Sequence, residues 1–520
     1  MNNLLLGQNK GREEVKTKII SYDLGTGGIK ASLFDEELRS LKKVFLEYQT
    51  MYPKADYHVQ RPSDWWKGVV QSTQMLLERT GTAPGEIAGL ALSGASLVSI
   101  PVGANGEILL DEVPIWSDMR ASEEAKEFFS SVDEEYWYRT TGNGFPPACY
   151  SLFKLMWMKK NQPEIYRKTA YVLGSKDYIN YRFTGKAATD HSYASGTGAY
   201  DLRAGFMNKD FLYAAGVRED LFLNPSPSHT VVGKVCASAA RATGLKEGTP
   251  VLCGGVDNAC MALGAVGPEP GKVYVSLGSS SWIPINSQEP ILDFQKKPYV
   301  FSHIQEGMYT SAFSIFSGGS SFRWVKEELC RDIQREKAYE ELDKLAEKVP
   351  IGANGVIFNP SLAGGTSQDK SVHIRGGYMG LTLRNTRDDL IRAALEGIAM
   401  NLKMSLDSLA AHVPVEERIL MCGGGSKSRL WMRIFSDIFN KTVYKTNIDQ
   451  DAASLGAAAI AARGIGWWKD YQKIPQLHTL GFESSPIQEN VGKYERLLPI
   501  YQRLGEIAAD MGDALYSSGF

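Results

Sequence analysis

The stretch Asp23-Leu24-Gly25-Thr26-Gly27-Gly28-Ile29-Lys30 stands between two apolar runs, 19–22 and 29–34. Two short runs across a glycine-bearing turn predict a β-hairpin. A turn at Asp35-Glu36-Glu37 leads to a third strand candidate over 41–48. Pro62-Ser63-Asp64 then signals a helix start with Ser63 as N-cap. Trp65, Trp66, Val69, Val70, Leu76 and Leu77 recur at helical spacing until Gly81, and 87–92 reads as a strand. Three strands, a helix and a strand predict an α/β layered domain.

A second passage of this kind begins near Gly271. Residues 273–277 read as a strand, 278–281 as a turn of small residues and 282–285 as a return strand. A helix over 388–409, a strand over 419–422, a glycine run and a helix over 429–440 follow. The pattern predicts a duplicated architecture without residue identity between the copies, and a boundary near 266–271. The expected division is a mobile leader over 1–17, an N-terminal domain over 18–266 and a C-terminal domain over 267–520.

Composition narrows the function classes. The 520 residues are 43% hydrophobic and 22% charged, an ordinary globular balance that excludes disorder, collagen and a long coiled coil. Lys plus Arg number 57 and Asp plus Glu 59, a formal net charge of -2. Such a balance carries no footprint for nucleic acid or an anionic membrane. The longest apolar run, 455–462, is far short of the ~20 residues that cross a bilayer. No two of the six cysteines have the two-residue spacing of a zinc or redox motif, so reduced thiols in a cytoplasmic protein are expected.

The chemistry-bearing residues cluster at glycine turns. Without a Cβ, a glycine lets backbone N–H groups approach an anion. In the first turn Gly25 and Thr26 supply such donors, Lys30 a cation for phosphate, and Asp23 an oxygen ligand for Mg²⁺. The same residues also suit a plain hairpin turn with an Asp cap. Gly278, Ser279 and Ser280 form a second hydroxyl-rich turn, so two similar turns facing across a cleft would clamp a polyphosphate. A third, Gly423-Gly424-Gly425-Ser426, joins a strand to a helix, where N–H groups and the positive helix end point outward. A flat adenine or ribose would lie against Gly424 and Gly425. The spacing is not that of a P-loop.

Cys253-Gly254-Gly255-Val256-Asp257-Asn258 places a carboxylate after an apolar strand and before a small-residue helix. Asp257 there can take a proton from a substrate hydroxyl, or simply cap the helix. In Trp116-Ser117-Asp118-Met119-Arg120, Trp116 can pack on the C–H face of a sugar and Asp118 can accept hydroxyl hydrogen bonds, with Arg120 fixing it. A buried Trp beside a surface ion pair is the alternative.

Taken together these residues resemble the FGGY carbohydrate kinases, and most the xylulokinase-type branch, over residues 18–503. Tyr150-Ser151-Leu152-Phe153-Lys154-Leu155-Met156-Trp157 is similar to the first signature of that family. Gly376-Gly377-Tyr378-Met379-Gly380-Leu381, Asp389-Leu390 and Ala393-Ala394-Leu395-Glu396 are similar to the second. The resemblance implies two actin-like, ribonuclease-H-like domains with ATP, Mg²⁺ and a small sugar or polyol in the cleft. By it Asp257 is the catalytic base. Asp23, Gly25, Thr26 and Lys30 form the first phosphate and Mg²⁺ region, and Gly278, Ser279 and Ser280 the second phosphate turn. Gly424 and Gly425 approach the adenosine, while Ala95, Ser96, Trp116, Asp118 and Asn258 lie on the sugar side. The helix of the second signature, with Leu390, Ala394, Ile398 and Leu402 on one face, reads as core packing.

Two departures bear on the acceptor. Xylulokinases carry Gly-Gln-Met-His where this chain has Gly94-Ala95-Ser96-Leu97, and the Arg-Glu pair of glycerol kinases is absent there too. Cys149 stands where glycerol kinases have a sugar-side Tyr. A ketopentose is the favoured acceptor, with a pentitol, a tetritol or glycerol left open. An actin-like, nucleotide-gated binding protein is the reading from another class, since fold alone does not set function. Oligomeric state stays open, a homodimer included.

Overall fold

The computed structural model describes residues 17–333 and 337–520, so all of the expected leader but Thr17 lies outside the described residues. The first half is built on a seven-stranded sheet. Its strands are β1 (Lys18–Leu24), β2 (Gly28–Phe34), β3 (Ser40–Glu47), β4 (Ile87–Gly94), β5 (Val231–Lys234), β6 (Pro250–Leu252) and β7 (Gly255–Val256). In space they run β5-β6-β4-β1-β2-β3, with β7 beside β4. β1, β2 and β3 form an antiparallel meander, β1, β4 and β6 are parallel, and β5 turns antiparallel.

The second half repeats this succession. Its strands are β8 (Tyr274–Leu277), β9 (Ser281–Ser287), β10 (Tyr299–Ser302), β11 (Tyr309–Ile315), β12 (Arg418–Cys422), β13 (Thr442–Thr446) and β14 (Leu480–Ser484), in the order β10-β11-β9-β8-β12-β13-β14. From β11 the pairings read antiparallel, antiparallel, parallel, parallel, antiparallel, as they do from β3. The duplication is therefore one of topology, and β10 is an extra edge strand on the second copy.

The helices that position the site are α1 (Pro62–Thr80), α2 (Ser151–Asn161), α3 (Asp257–Val266), α4 (Arg387–Ala410), α5 (Arg429–Phe439), α6 (Ala452–Gly464) and α7 (Gln488–Ser517). α1 starts two residues earlier than its sequence suggests. Arg61 occupies the N-cap, Pro62 is the first helical residue, and Ser63 caps nothing. Proline suits that position because its φ is preset and its missing N–H has no partner to lose. Gly81 ends the helix at φ 62°, as read. A hairpin, Met51–Lys54 with Tyr57–Gln60, precedes α1 unannounced, because its polar run lacks a strand signal.

α3 and α6 cross at the centre of the molecule. Leu455 and Ala457–Ala462 of α6 pack with Ile19, Ala91 and Leu252 of the first sheet. Ala262, Ala265 and Val266 of α3 pack with Tyr274, Leu420 and Cys422 of the second. Each half thus lends a helix to the sheet of the other. A Cβ at Gly264 would sit 1.9 Å from the Ala452 carbonyl, and one at Gly456 would sit 2.0 Å from the Cys260 carbonyl. The backbones touch because both positions lack a side chain. α4 bears out the core reading: Ala394, Ile398 and Leu402 are buried, and Arg392 bonds Glu396 and Tyr494 of α7 inside the second half.

Gly456→Val should destabilise the fold by about 3 kcal/mol, because backbone carbonyls cannot move aside as a side chain can. The urea midpoint measures this. An unchanged midpoint would mean that the two helices separate freely.

Candidate active site

Strand pairing brings three of the predicted segments to one place. β1 sets Leu24 opposite Gly94 of β4, and β7 sets Val256 opposite the same Gly94. The chains leaving β1, β4 and β7 therefore emerge side by side. They carry the Gly25 turn, the Ala95-Ser96 segment and Asp257. The Ala95 N–H donates to the Leu24 carbonyl at 2.9 Å and locks the first two together.

In the first turn the carbonyl oxygens are occupied. Tyr48 Oη bonds the Gly25 carbonyl, and Gln60 Nε2 donates to the Thr26 carbonyl at 2.7 Å. Trp116 Nε1 donates to Thr26 Oγ1 at 2.9 Å. Because that hydroxyl accepts from the indole, its own proton stays free for an anion. Thr26 and Gly27 are exposed, and a Cβ at Gly28 would meet the Leu46 carbonyl at 2.5 Å, so the hairpin tolerates only glycine there.

Asp23, at the end of β1, accepts from Ser93 Oγ at 3.0 Å. Burial raises its carboxyl above the ordinary range, opposed by Lys30 and by the Ser93 bond. Lys30 departs from expectation. Its ammonium does not face the turn but donates to the Gln450 carbonyl at 2.5 Å, with Asp451 at 3.6 Å and Asp23 at 3.9 Å. A carbonyl and two carboxylates within reach satisfy the charge better than an open turn would. Lys30 therefore ties the first turn to the loop before α6, and Lys43 joins it by pairing with Asp451.

Asp257 is the first residue of α3, and Val256 holds the N-cap, so Asp257 is not a capping residue. It is half-buried, and its Oδ1 accepts the Asn258 N–H at 2.8 Å. Burial, and then the nearby Asp23 carboxylate, push its carboxyl up to about 7, against the pull of the Asn258 N–H. Tyr48 feels both carboxylates, and burial keeps its phenol protonated. The loop before Asp257 is held from below. Lys176 Nζ and Asn180 Nδ2 donate to the Cys253 carbonyl at 3.2 and 2.8 Å. Ser192 Oγ accepts the Val256 N–H at 3.0 Å and donates to Asp190 at 2.5 Å. The buried Lys176 pairs with Asp177 and Asp190 at 2.5 and 2.9 Å.

On the acceptor side the Ala95 carbonyl accepts from Ser175 Oγ and Tyr193 Oη at 2.7 and 3.0 Å. The Ser96 hydroxyl bonds Tyr299, a residue of β10 that reaches across from the second half to within range of the Asp257 charge. Phe145 stacks on Tyr299 at 4.8 Å, and Trp282 meets it edge-on at 6.1 Å. A cavity of about 450 Å³ opens beside them, lined also by Asn143, Lys297 and Asp369. Trp116 is 36% exposed and stands at the first turn. Asp118 corrects the expectation of a sugar-facing acceptor, because none of its surface is exposed. Arg120 Nε and Nη2 bond its two oxygens at 2.8 Å each, and the His58 N–H adds a third bond at 2.8 Å. Asp118 shapes the loop that presents Trp116. Cys149 is buried against Met119, with the sulfurs 3.3 Å apart.

The other two turns lie together at the C-terminal ends of two central strands of the second sheet, because β8 and β12 are parallel neighbours. Gly278, Ser279 and Ser280 are exposed. The short helix Gly318–Trp324 closes on them: the Gly319 N–H donates to the Gly278 carbonyl at 2.9 Å, and Arg323 Nη2 to Ser279 Oγ at 3.2 Å. Gly423, at φ 89°, would press a Cβ within 2.6 Å of the Leu277 carbonyl, whereas Gly424 faces open space. A Cβ on Gly425 would meet the Trp431 ring at 2.7 Å. Sequence reading missed Tyr48, Gln60, Phe145, Trp282, Tyr299 and Arg323. Of these only Trp282, directly after the second turn, had a sequence signal.

Comparison with known proteins agrees with this geometry. Residues 18–264 match the N-terminal domain of the FGGY family of carbohydrate kinases, and residues 273–465 match its C-terminal domain. A xylulose kinase of Bacillus subtilis (strain 168) is 29% identical over 500 residues, 96% of this chain and 99% of that protein. A gluconokinase of Bacillus licheniformis is 25% identical over 494 residues, 94% of this chain and 95% of that protein. The crystal structure of xylulose kinase from Rhodospirillum rubrum superposes with a TM-score of 0.87 at 27% identity, covering 95% of this chain and 100% of that one. The fold is thus the paired actin-like, ribonuclease-H-like architecture. Both halves match one family in the order it prescribes, and the chain belongs to the FGGY family of carbohydrate kinases.

Proposed function

We propose that the protein transfers the terminal phosphoryl group of ATP to a hydroxyl of a small sugar or polyol, with a ketopentose such as xylulose as the favoured acceptor. The observation that carries this is Asp257. It is a half-buried carboxyl pushed up to about 7, next to an exposed turn whose Thr26 hydroxyl keeps its own proton free. A base with such a pKa is well matched to neutral conditions.

Asp257 takes the proton of the acceptor hydroxyl as its oxygen attacks the terminal phosphorus. A new O–P bond forms, the bond from that phosphorus to the bridging oxygen breaks, and ADP leaves. Gly25 and Thr26 on one side and Gly278, Ser279 and Ser280 on the other stabilise the phosphoryl oxygens as charge develops. Gly424, with open space before it, and Gly425 receive the adenosine. Ser96, Tyr299, Trp116 and Asn258 orient the acceptor. Asp23 fits Mg²⁺ as a hard oxygen donor beside the first turn. It would share the ion with phosphate oxygens and water, because among the described residues no group of three His, Cys, Asp or Glu is placed to hold a metal. The ion would supply charge neutralisation on the phosphates.

The similarity to xylulose kinases favours a ketopentose. A sugar acid belongs in any screen, since one relative is a gluconokinase and Lys297 and Lys370 line the cavity. No helix among the described residues is long and apolar enough to cross a membrane. All six cysteines are free, which supports a cytoplasmic location.

ADP release across D-xylulose, xylitol, erythritol, glycerol and gluconate should be strongest with the ketopentose. Stimulation by polypeptides alone, with no response to any of these acceptors, would replace the kinase reading with a nucleotide-gated binding protein. Asp257→Asn should lower kcat by ~10²–10⁴-fold while leaving the melting temperature close to that of the parent, and full turnover in that variant would remove Asp257 from the reaction. Because the base must be ionised, kcat/KM should fall as pH drops below about 7. A flat profile from pH 5 to 8 would contradict it.

A further inference from the structure

Lys154 is the residue of the first signature that the reaction leaves without a role. It lies on α2 and is 2% exposed. Its Nζ donates to the Leu97 carbonyl at 2.9 Å and to the Ile115 carbonyl at 2.7 Å. These carbonyls belong to different loops, each next to an acceptor-side residue: Leu97 follows Ser96, and Ile115 precedes Trp116. Leu97 is buried at φ 60°, a left-handed backbone that a leucine holds only when its surroundings impose it. The carbonyl that Lys154 grips is the one this conformation turns inward.

We propose that Lys154 is the positioning residue of the acceptor pocket: its buried ammonium ties the Leu97 carbonyl to the Ile115 carbonyl and so sets the spacing between Ser96 and Trp116. As a statement about acceptor binding it rests on the kinase reading; as a statement about the two loops it does not. A charged donor bonds a carbonyl roughly twice as strongly as a neutral one, so the grip depends on the proton. Three groups face the ammonium. Asp118 holds its pKa up, Arg120 pulls it down, and burial outweighs both, lowering it to about 8, while Cys149, on the turn before α2, would hold it up only as a thiolate. Asp118 is bonded to Arg120 rather than to Lys154. Cys149 is itself pushed up to about 11 by burial and stays neutral through this range. The folded pKa lies below the ordinary lysine value, so the clamp is complete below about 8 and weakens as pH rises through it.

Hydrogen–deuterium exchange on the full chain tests this without any ligand. In Lys154→Met, peptides covering 94–100 and 113–120 should both exchange about tenfold faster or more, while peptides covering β8 and β12 keep the parent rate. Parent rates in both loops, or loosening of only one, would overturn the clamp. Should that variant not fold, the parent protein answers: after correction for base-catalysed chemical exchange, both loops should open between pH 7 and 9.5, and constant protection would overturn the proposal. With the best acceptor of the ADP-release screen, the acceptor KM should rise over the same pH range while the KM for ATP stays level. Loosened loops in a protein that phosphorylates no acceptor would keep the clamp and remove the kinase reading. Firm loops in an active Lys154→Met enzyme would do the reverse.

Discussion

The crossing of α3 and α6 is the constraint on which the site depends. α3 begins with Asp257 and packs on the second sheet; α6 follows the loop bearing Gln450 and Asp451 and packs on the first. Their backbones meet at Gly264 and Gly456, where a single Cβ would overlap a carbonyl by more than an ångström. A helix end held at such a contact moves little, so the Asp257 carboxylate and the first turn keep a fixed relation. Lys30 reinforces it from the side, bonding the Gln450 carbonyl from its place on β2.

Electrostatics in the cleft follow from that closeness. Asp23 ends β1 and Asp257 follows β7, the two strands that flank β4, and in a partly dry crevice the Asp23 carboxylate raises the pKa of Asp257. Here burial contributes more than the neighbouring charge. The result is a carboxyl that exchanges its proton near neutral pH. Beneath it, Lys176, Asp177 and Asp190 form a wholly buried charge group that holds the Cys253–Val256 backbone through hydrogen bonds. Such a group adds little to stability compared with a well-packed apolar core. Its effect here is to fix the direction in which Asp257 leaves the sheet.

The candidate acceptor pocket is lined from both halves. The Ala95-Ser96 segment contributes one hydroxyl, Tyr299 brings another from the second half, and Phe145 of the first half and Trp282 of the second pack against its ring. Stacked rings suit the C–H face of a sugar, and hydroxyls near a carboxyl suit its oxygens. This arrangement differs from what the Gly94-Ala95-Ser96-Leu97 segment suggests in isolation, which is a pocket poor in partners. The partner arrives from 200 residues further along the chain.

Much of this was legible in the residues themselves. Short apolar runs on either side of glycine turns marked the hairpin that opens each half, and the position of Asp257 after an apolar strand marked the candidate base, because backbone geometry and local hydrogen bonding are written in neighbouring residues. What could not be read there involves residues distant in sequence. Lys30 was expected at phosphate and Asp118 at sugar; each is instead matched by a charge or carbonyl that only folding brings near, Gln450 and Asp451 for the first, the Arg120 side-chain geometry and the His58 N–H for the second. Tyr299 carried no local signal, since an aromatic on an edge strand is common in any core. The sequence by itself determined the duplicated α/β halves, the glycine turns and the carboxylate, through short-range sterics and periodicity. Only the tertiary structure decided which cation faces which anion and which aromatic closes the acceptor pocket, because those pairings depend on distances through space that no spacing along the chain encodes.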